Sequence, residues 1–227
     1  MTQPRMTRLE FDNGLQLVRE SLFTMTGAVT EAILAATTSL LDQNLETARA
    51  TASLEQELED NRRLIERCTL QLLAREQPVA GELRMLVSAI KISSGCWRMG
   101  ILAHHIGMAA RRIYPAAAIP DELSGIFRQM ADVVSCIADS ARATLLTSDA
   151  LDAAFLEVDE NTVEGLSRAL FRTLLDNWPH GGETAVNVAL LGRYYERLGD
   201  HAVTLAESAI LMVTGTKLQI GAPPQGG

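Results

Sequence analysis

The sequence predicts an all-α protein made of two tandem three-helix bundles, and three observations support this prediction. The 227 residues are 47% hydrophobic but only 4% aromatic, a composition that favours packed helices over a β-sandwich. Apolar residues recur every three or four positions through long segments, as in amphipathic helices. The order of helices and breaks in the first half then returns in the second half, which indicates an internal repeat. Six long helices are therefore expected.

Three helices are predicted in the first half. The first covers Arg8–Leu41 and is followed by a polar break at Asp42–Asn44. An irregular apolar stripe then continues to Ala74, and so short a break between two long helices predicts an antiparallel hairpin. A proline ends this stripe, because the residue before proline is pushed out of the α region. We expect Pro78 at the first position of a third helix that runs to about Ile113.

The clearest boundary in the chain is the segment from Tyr114 to Pro120, which contains two prolines. It predicts one repeat over residues 1–114 and a second over residues 121–215, followed by a disordered tail at residues 216–227. The second repeat is expected to hold helices from Asp121 to Thr147, from the break at Ser148-Asp149 to about Asn177, and from Glu183 to Val213, with the last one stopped near Gly215.

The third helix of each half carries a related motif with a glycine inside the helix. Trp97-Arg-Met-Gly100 aligns with Glu196-Arg-Leu-Gly199. A glycine in mid-helix costs about 1 kcal/mol relative to alanine, so it needs a packing or functional reason. We expect a neighbouring helix to approach closely at Gly199, with Gly100 as its counterpart in the first half.

Two pairs of acidic residues in the second half are the candidates for chemistry. Glu196 and Asp200 are four residues apart, as are Glu160 and Glu164 on the preceding helix, so each pair lies on one helix face. An antiparallel hairpin that joins these faces would bring four carboxylates together. Like charges at short range raise each other's pKa unless a cation neutralises them. An all-oxygen site for a divalent metal ion would do so.

Acidic pairs at this spacing are common on solvated helix faces, which the spacing alone favours over a metal site, and this alternative stays open. In that case the acids form ion pairs with nearby arginines, namely Arg168, Arg193 or Arg197. A di-iron enzyme is disfavoured because none of the four histidines follows a glutamate by three residues. The sequence also contains no nucleophile elbow, phosphate-binding loop or dinucleotide fingerprint.

Charge and cysteine content restrict the partners and the compartment. There are 20 Lys and Arg against 28 Asp and Glu, a net charge of −8, which argues against nucleic acid as a partner. The three cysteines are widely spaced without a Cys-x-x-Cys motif, so reduced thiols in the cytoplasm are expected. The chain begins without the apolar core of a signal peptide, and no apolar run is long enough for a membrane span.

The segment Gln77-Pro-Val-Ala-Gly-Glu-Leu-Arg84 follows the pattern Gln-Pro-x-Ala-x-Asp-Leu-Arg, with Glu82 in place of Asp. It resembles a motif of PhoU, the phosphate-uptake regulators. Tyr195-Glu-Arg-Leu-Gly-Asp-His-Ala202 is similar to Glu-Arg-Ile-Gly-Asp-x-Ala. The acidic pair of the preceding helix also matches, and the resemblance spans essentially the whole chain. Arg111-Arg-Ile-Tyr-Pro115 and Ala189-Leu-Leu-Gly-Arg-Tyr-Tyr195 resemble the actinobacterial branch in particular.

This resemblance implies a cytoplasmic regulator and not an enzyme. A PhoU protein couples the ATPase of the phosphate-specific ABC transporter to a sensor histidine kinase, and represses the phosphate-starvation response at high phosphate. Contact with the membrane would occur only through these partners. A helical scaffold without metal and, less favoured, a metal-dependent enzyme remain as alternatives. Homodimerisation, the partner-binding faces and direct binding of phosphate stay open.

The resemblance also implies metal clusters bound by the acidic motifs, with iron, zinc, magnesium or manganese as the ions. In this sequence the resemblance implies one metal site, made of Glu160, Glu164, Glu196 and Asp200, with Ser167 as a neighbour.

The first half departs from the family pattern. Trp97 and Ile101 stand where the motif has Glu and Asp, and Arg62 stands where a further acid is expected. We therefore expect the first site to be lost, with the tryptophan filling the vacated space and Arg62 paired with Glu59.

Overall fold

The computed structural model describes residues 7–147, 153–176 and 178–216, with the backbone but not the side chains of residues 153–158 and 160. All regular structure in these ranges is helical, which confirms the predicted fold class. The six long helices are α1 (Arg8–Asp42), α2 (Leu45–Arg75), α3 (Ala80–Ile113), α4 (Ser124–Thr147), α5 (Ala153–Leu175) and α6 (Gly181–Thr214), with one 3₁₀ turn at Asp121–Leu123 before α4.

The helix ends lie close to the predicted breaks because local capping groups fix them. The Thr7 side chain accepts a hydrogen bond from the amide of Glu10, whose carboxylate accepts the Thr7 amide in return. Asn44 caps the start of α2 by accepting the amides of two first-turn residues. Gly215 ends α6 with a positive φ of 78°. The predicted break at Ser148-Asp149 and the tail beyond residue 216 lie outside the described residues.

The start of α3 corrects one prediction. The helix begins at Ala80, so Pro78 lies two residues before it and not at its first position. The carboxylate of Glu82 accepts the amide of Val79 at 3.0 Å. This interaction fixes Val79 as the residue preceding the helix and leaves Pro78 outside it.

Four helices, two from each half, form the centre of the molecule. α1 and α3 pack against α4 and α6, while α2 lies on α1 and α3, and α5 lies on α4 and α6. The buried apolar residues of both halves belong to one continuous core. The two helical repeats are thus joined through their first and third helices, and the second helix of each lies on the outside.

A buried hydrogen bond joins the two halves beside the acidic motif. The hydroxyl groups of Tyr195 on α6 and Thr37 on α1 are 2.8 Å apart. Because Thr37 donates its own proton to the carbonyl of Ile33, Tyr195 donates to Thr37. The fully buried tyrosine ring also contacts Phe127 at a centroid distance of 5.4 Å. The backbone next to Glu196 is therefore anchored to the opposite half.

Candidate functional site

Glycines bring the outer helix of each half close to its neighbour. A Cβ atom placed on Gly199 of α6 would lie 3.0 Å from Val163 Cγ1 of α5. At the equivalent position in the first half, a Cβ on Gly100 of α3 would lie 2.4 Å from Leu58 Cδ1 of α2. The expected close approach at Gly199 is confirmed, and the repeat preserves it. This approach places α5 directly beside the acidic face of α6.

Three of the four predicted metal ligands line one small cleft at this contact. The cleft has a volume of about 10 Å³ and is lined by Val163, Glu164, Glu196, Gly199 and Asp200. That volume accommodates a single ion or water molecule. Glu160 lies on α5 one turn before Glu164, but its side chain lies outside the described residues. The structure thus brings Glu164, Glu196 and Asp200 together.

Two of these acids also contact arginines of their own helix. Glu196, with 26% of its side chain exposed, pairs with Arg193 and accepts a hydrogen bond from the Ser167 hydroxyl at 3.3 Å. Glu164 is 58% exposed and lies 3.8 Å from Arg168. The ion pairs of the alternative interpretation are therefore present at Arg193 and Arg168. Ser167 is buried and contacts the site through its hydrogen bond to Glu196.

The electrostatics of the cleft show an excess of negative charge. Partial burial, followed by the nearby Glu196 carboxylate, raises the pKa of Asp200 above its ordinary value, although Arg193 and His201 act in the opposite direction. Arg193 and Arg168 thus neutralise the carboxylates only in part. Among the side chains that the structure describes, no three His, Cys, Asp or Glu residues lie close enough together to hold a metal ion, so the three carboxylates share a cleft without forming a closed coordination site.

The first half fills the corresponding region with an internal cation. Arg62 donates two hydrogen bonds to Glu59, at 2.7 and 3.0 Å, and its guanidinium carbon lies 4.9 Å from the centroid of the Trp97 ring. These hydrogen bonds from Arg62 are the main cause of the lowered pKa of Glu59. The predicted pairing of Arg62 with Glu59 is confirmed.

Two further contacts in this region were missed from the sequence. Arg63 adds a hydrogen bond of 2.7 Å to Glu59, and Arg62 extends to Glu66 at 3.1 Å. The spacings of three and four residues between these groups are the signal that could have found them.

Comparison with known proteins identifies the family. The family model described as the PhoU domain matches twice, over residues 22–110 and 127–209. The chain belongs to the PhoU family. In Mycobacterium tuberculosis it is similar to the phosphate-specific transport system accessory protein PhoU homolog 2, with 37% identity over 209 residues that cover 92% of this chain and 98% of the relative. It is also similar to PhoU homolog 1 of that organism, at 39% identity over 181 residues, covering 79% and 82%.

Solved structures agree with this PhoU assignment. The crystal structure of PhoU from Pseudomonas aeruginosa matches with a TM-score of 0.81 and 25% identity, covering 91% of this chain and all of that one. The phosphate transport system regulatory protein PhoU from Streptococcus pneumoniae has the same fold, with a TM-score of 0.76, 17% identity and coverage of 92% and 99%. The mycobacterial relatives are named as accessory proteins, and the Streptococcus pneumoniae protein as a regulatory protein. None of its described helices is long and apolar enough to cross a membrane.

Proposed function

We propose that this PhoU protein regulates phosphate uptake and phosphate-starvation signalling from the cytoplasm. It couples the ATPase of the phosphate ABC transporter to a sensor histidine kinase and represses the response when phosphate is plentiful. The observation that carries this proposal is the match to mycobacterial accessory proteins of the phosphate-specific transport system, which extends over 92% of the chain. The net charge of −8 also favours protein partners over nucleic acid.

The proposal includes one metal ion, held by Glu164, Glu196 and Asp200 together with Glu160. Three observations support the fit. The donors are all carboxylates, which suit hard cations such as magnesium, manganese and iron. The cleft is of the size of a single ion. Partial burial raises the pKa of Asp200, and the nearby Glu196 carboxylate raises it further, while Arg193 acts in the opposite direction. A bound cation would supply the missing positive charge.

The helices around the cleft make it suited to present a fixed surface to a partner. Gly199 lets α5 pack closely against α6, and Tyr195 anchors α6 to α1. Neutralising the carboxylates removes their mutual repulsion and so favours a single arrangement of the α5 and α6 side chains. Ser167 orients Glu196 from the α5 side through its hydrogen bond. The acidic face then offers a defined docking surface near the middle of the α5–α6 pair.

Affinity capture tests the regulatory function. The full-length protein, immobilised, is offered the transporter ATPase and the cytoplasmic domain of the kinase at high and at low phosphate. We expect both partners to be retained, and the E196Q/D200N variant to retain them less well than the wild type. The E59Q variant, which changes an acid of the first half, serves as the matched control. Failure of both partners to bind at either phosphate concentration would contradict the proposal.

Elemental analysis after gentle purification tests the metal. We expect about one metal ion per chain in the wild type and none in the E196A/D200A variant. Absence of metal from both proteins would remove the ion from the proposal.

The ion pairs of Arg193 and Arg168 favour a second candidate, a helical scaffold whose acidic face binds a basic partner directly. Equal thermal stability in chelator and in added divalent cations would support it, since a ligand that binds only the folded state must raise stability.

A further inference from the structure

Two cavities meet at one end of the molecule, away from the acidic cleft. The first has a volume of about 340 Å³, and it lies where α1, the start of α3 and the ends of α4 and α6 come together. It is lined by Arg19, Gly81, Arg84, Met85, Leu145, Met212 and Val213. The second has a volume of about 440 Å³ and shares Arg19 and Leu145 with the first. The two cavities are therefore adjacent along α1.

The first cavity carries positive charge that no acid of its lining neutralises. Arg19 and Arg84 both line it, whereas its lining contains no aspartate or glutamate. Neither arginine forms an ion pair within the described residues, and the Nε atom of Arg84 is buried without a hydrogen-bond partner there. A buried guanidinium donor without an acceptor is costly. The two arginines form a positively charged cavity in a chain whose net charge is −8. This cavity favours the binding of an anion.

The surrounding backbone positions Arg84 and adds to the positive potential. Gly215 takes a positive φ, and a Cβ there would lie 2.8 Å from Nη1 of Arg84, so only glycine lets the guanidinium lie against the end of α6. Gly81 is the second residue of α3, a helix of 34 residues. Its amide belongs to the first turn, which has no acceptor within the helix and lies at the positive end of the dipole. The Glu82 carboxylate of the same turn offsets part of this charge, and is itself paired with Arg8.

We propose that this cavity binds a tetrahedral oxyanion of the phosphate class, free in solution, between Arg19 and Arg84. The planar guanidinium groups match the geometry of phosphate oxygens. The adjoining cavity is lined by the apolar Phe23, Leu145 and Leu146 and also by the polar Gln16, Glu20 and Thr24. The Glu20 carboxylate accepts a hydrogen bond from Gln16, and the apolar part of the lining accommodates a non-polar group on the same ligand. A phosphate monoester with a small apolar substituent thus fits both cavities, while inorganic phosphate fits the first.

Isothermal titration of the full-length protein, at low ionic strength and with chelator present, tests this site. The probes are inorganic phosphate, sulfate and phenyl phosphate. We expect one saturable site per chain for each probe, with phenyl phosphate bound more tightly than phosphate. Sulfate should bind within about threefold of phosphate, because the cavity lining offers no carboxylate to accept the proton of hydrogen phosphate. Phenyl phosphate bound no more tightly than phosphate would overturn the extension into the second cavity.

Matched substitutions locate the binding. R19M and R84M should each weaken phosphate binding by about tenfold or more, the usual effect of losing a hydrogen bond to a charged group. R128M is the control, because Arg128 is an exposed arginine of α4 about 25 Å along the helix from Leu145. If R84M fails to fold, the R19M variant still tests the site, because Arg19 is exposed.

Lack of saturable phosphate binding, or unchanged affinity in R19M, would overturn the proposal. Either result leaves the transporter and kinase contacts untouched, because capture of those partners is measured separately.

Discussion

The two repeats of this PhoU protein share a packing device and differ in how they treat charge. In both, a glycine of the third helix lets a branched residue of the second helix approach, Leu58 at Gly100 and Val163 at Gly199. In the first repeat Arg62 neutralises Glu59 of the same helix, and its guanidinium lies over the Trp97 ring. In the second repeat the cleft keeps three carboxylates, and Arg193 and Arg168 neutralise only two of them in part.

This difference teaches that helix packing and the acidic site are separable. The first repeat has the same helix contact at Gly100, although its third helix carries Trp97 and Ile101 in place of the acids. The contact therefore does not depend on an ion bound by such acids. The first repeat pairs its acid with a guanidinium of the same helix, whereas the second repeat keeps carboxylates that its arginines neutralise only in part. The predictions below test this contrast.

The largest expected effect comes from breaking the shared helix contact. Leu58→Ala should lower the free energy of unfolding by about 2–5 kcal/mol, because Leu58 is fully buried and its loss leaves a cavity against Gly100. Val163→Ala should cost less, since it removes two carbon atoms and not three. Urea denaturation measures both. A larger loss for Val163→Ala would show that the two contacts are not equivalent.

Added manganese should separate the two repeats. At a concentration of about 100 times Kd, an ion that binds only the folded state stabilises it by about 2.7 kcal/mol, which corresponds to a rise in Tm of about 5–10 °C for a chain of this length. Glu196→Gln with Asp200→Asn should abolish the rise, measured by thermal denaturation. Glu59→Gln should keep it, and loss of the rise in that variant would place the ion elsewhere.

The pH dependence of stability should have opposite signs in the two repeats. Glu59 has a lowered pKa, so its contribution is present above the unfolded value of 4.5 and is lost as the pH falls through the folded pKa. Glu59→Gln should therefore cost about 1–2 kcal/mol at pH 7, and this cost should shrink as the pH falls below 4.5 and through the folded pKa. Urea denaturation in chelator across this range measures the change.

Asp200 has a raised pKa, so its ionised form opposes folding at neutral pH. Asp200→Asn should stabilise the metal-free protein at pH 7, and this gain should shrink as the pH falls through the folded pKa towards the unfolded value of 3.8. A loss of stability at pH 7 would mean that the cleft is already neutralised by its arginines.

The smallest expected effect concerns the internal cation. Arg62→Lys keeps the charge but loses the paired hydrogen bonds to Glu59 and the planar contact with Trp97. We expect a cost of about 0.5–1 kcal/mol in urea denaturation. Arg63→Lys, at a more exposed position with one contact, is the control and should change stability by less. Equal costs would argue that geometry at Arg62 is unimportant.

Local signals in the sequence predicted most of the fold. Proline and glycine placed the main breaks, the repeat predicted two equivalent halves, and the cost of a mid-helix glycine predicted the contact at Gly199. The position of Pro78 was wrong because the Glu82 carboxylate fixes the start of α3 at Ala80. An amphipathic stripe also does not specify its partner, so the packing of α1 on α4 and α3 on α6 had to come from the structure.

The two kinds of site differ in the same way in how far the sequence predicts them. Residues within one helix or one hairpin, such as Arg62 with Glu59, are readable from their spacing. The basic cavity combines Arg19 and Arg84 with the ends of two further helices. Their separation along the chain gives no periodic signal, so the sequence could not indicate that they meet.

The continuous core has a consequence for the connection between the repeats. Residues 114–117 are exposed, while the packing of α1 and α3 on α4 and α6 runs beneath them. A protease that nicks this segment should therefore leave two fragments that stay associated and migrate together under native conditions. The packed helices, and not the covalent link, would then hold the two halves together.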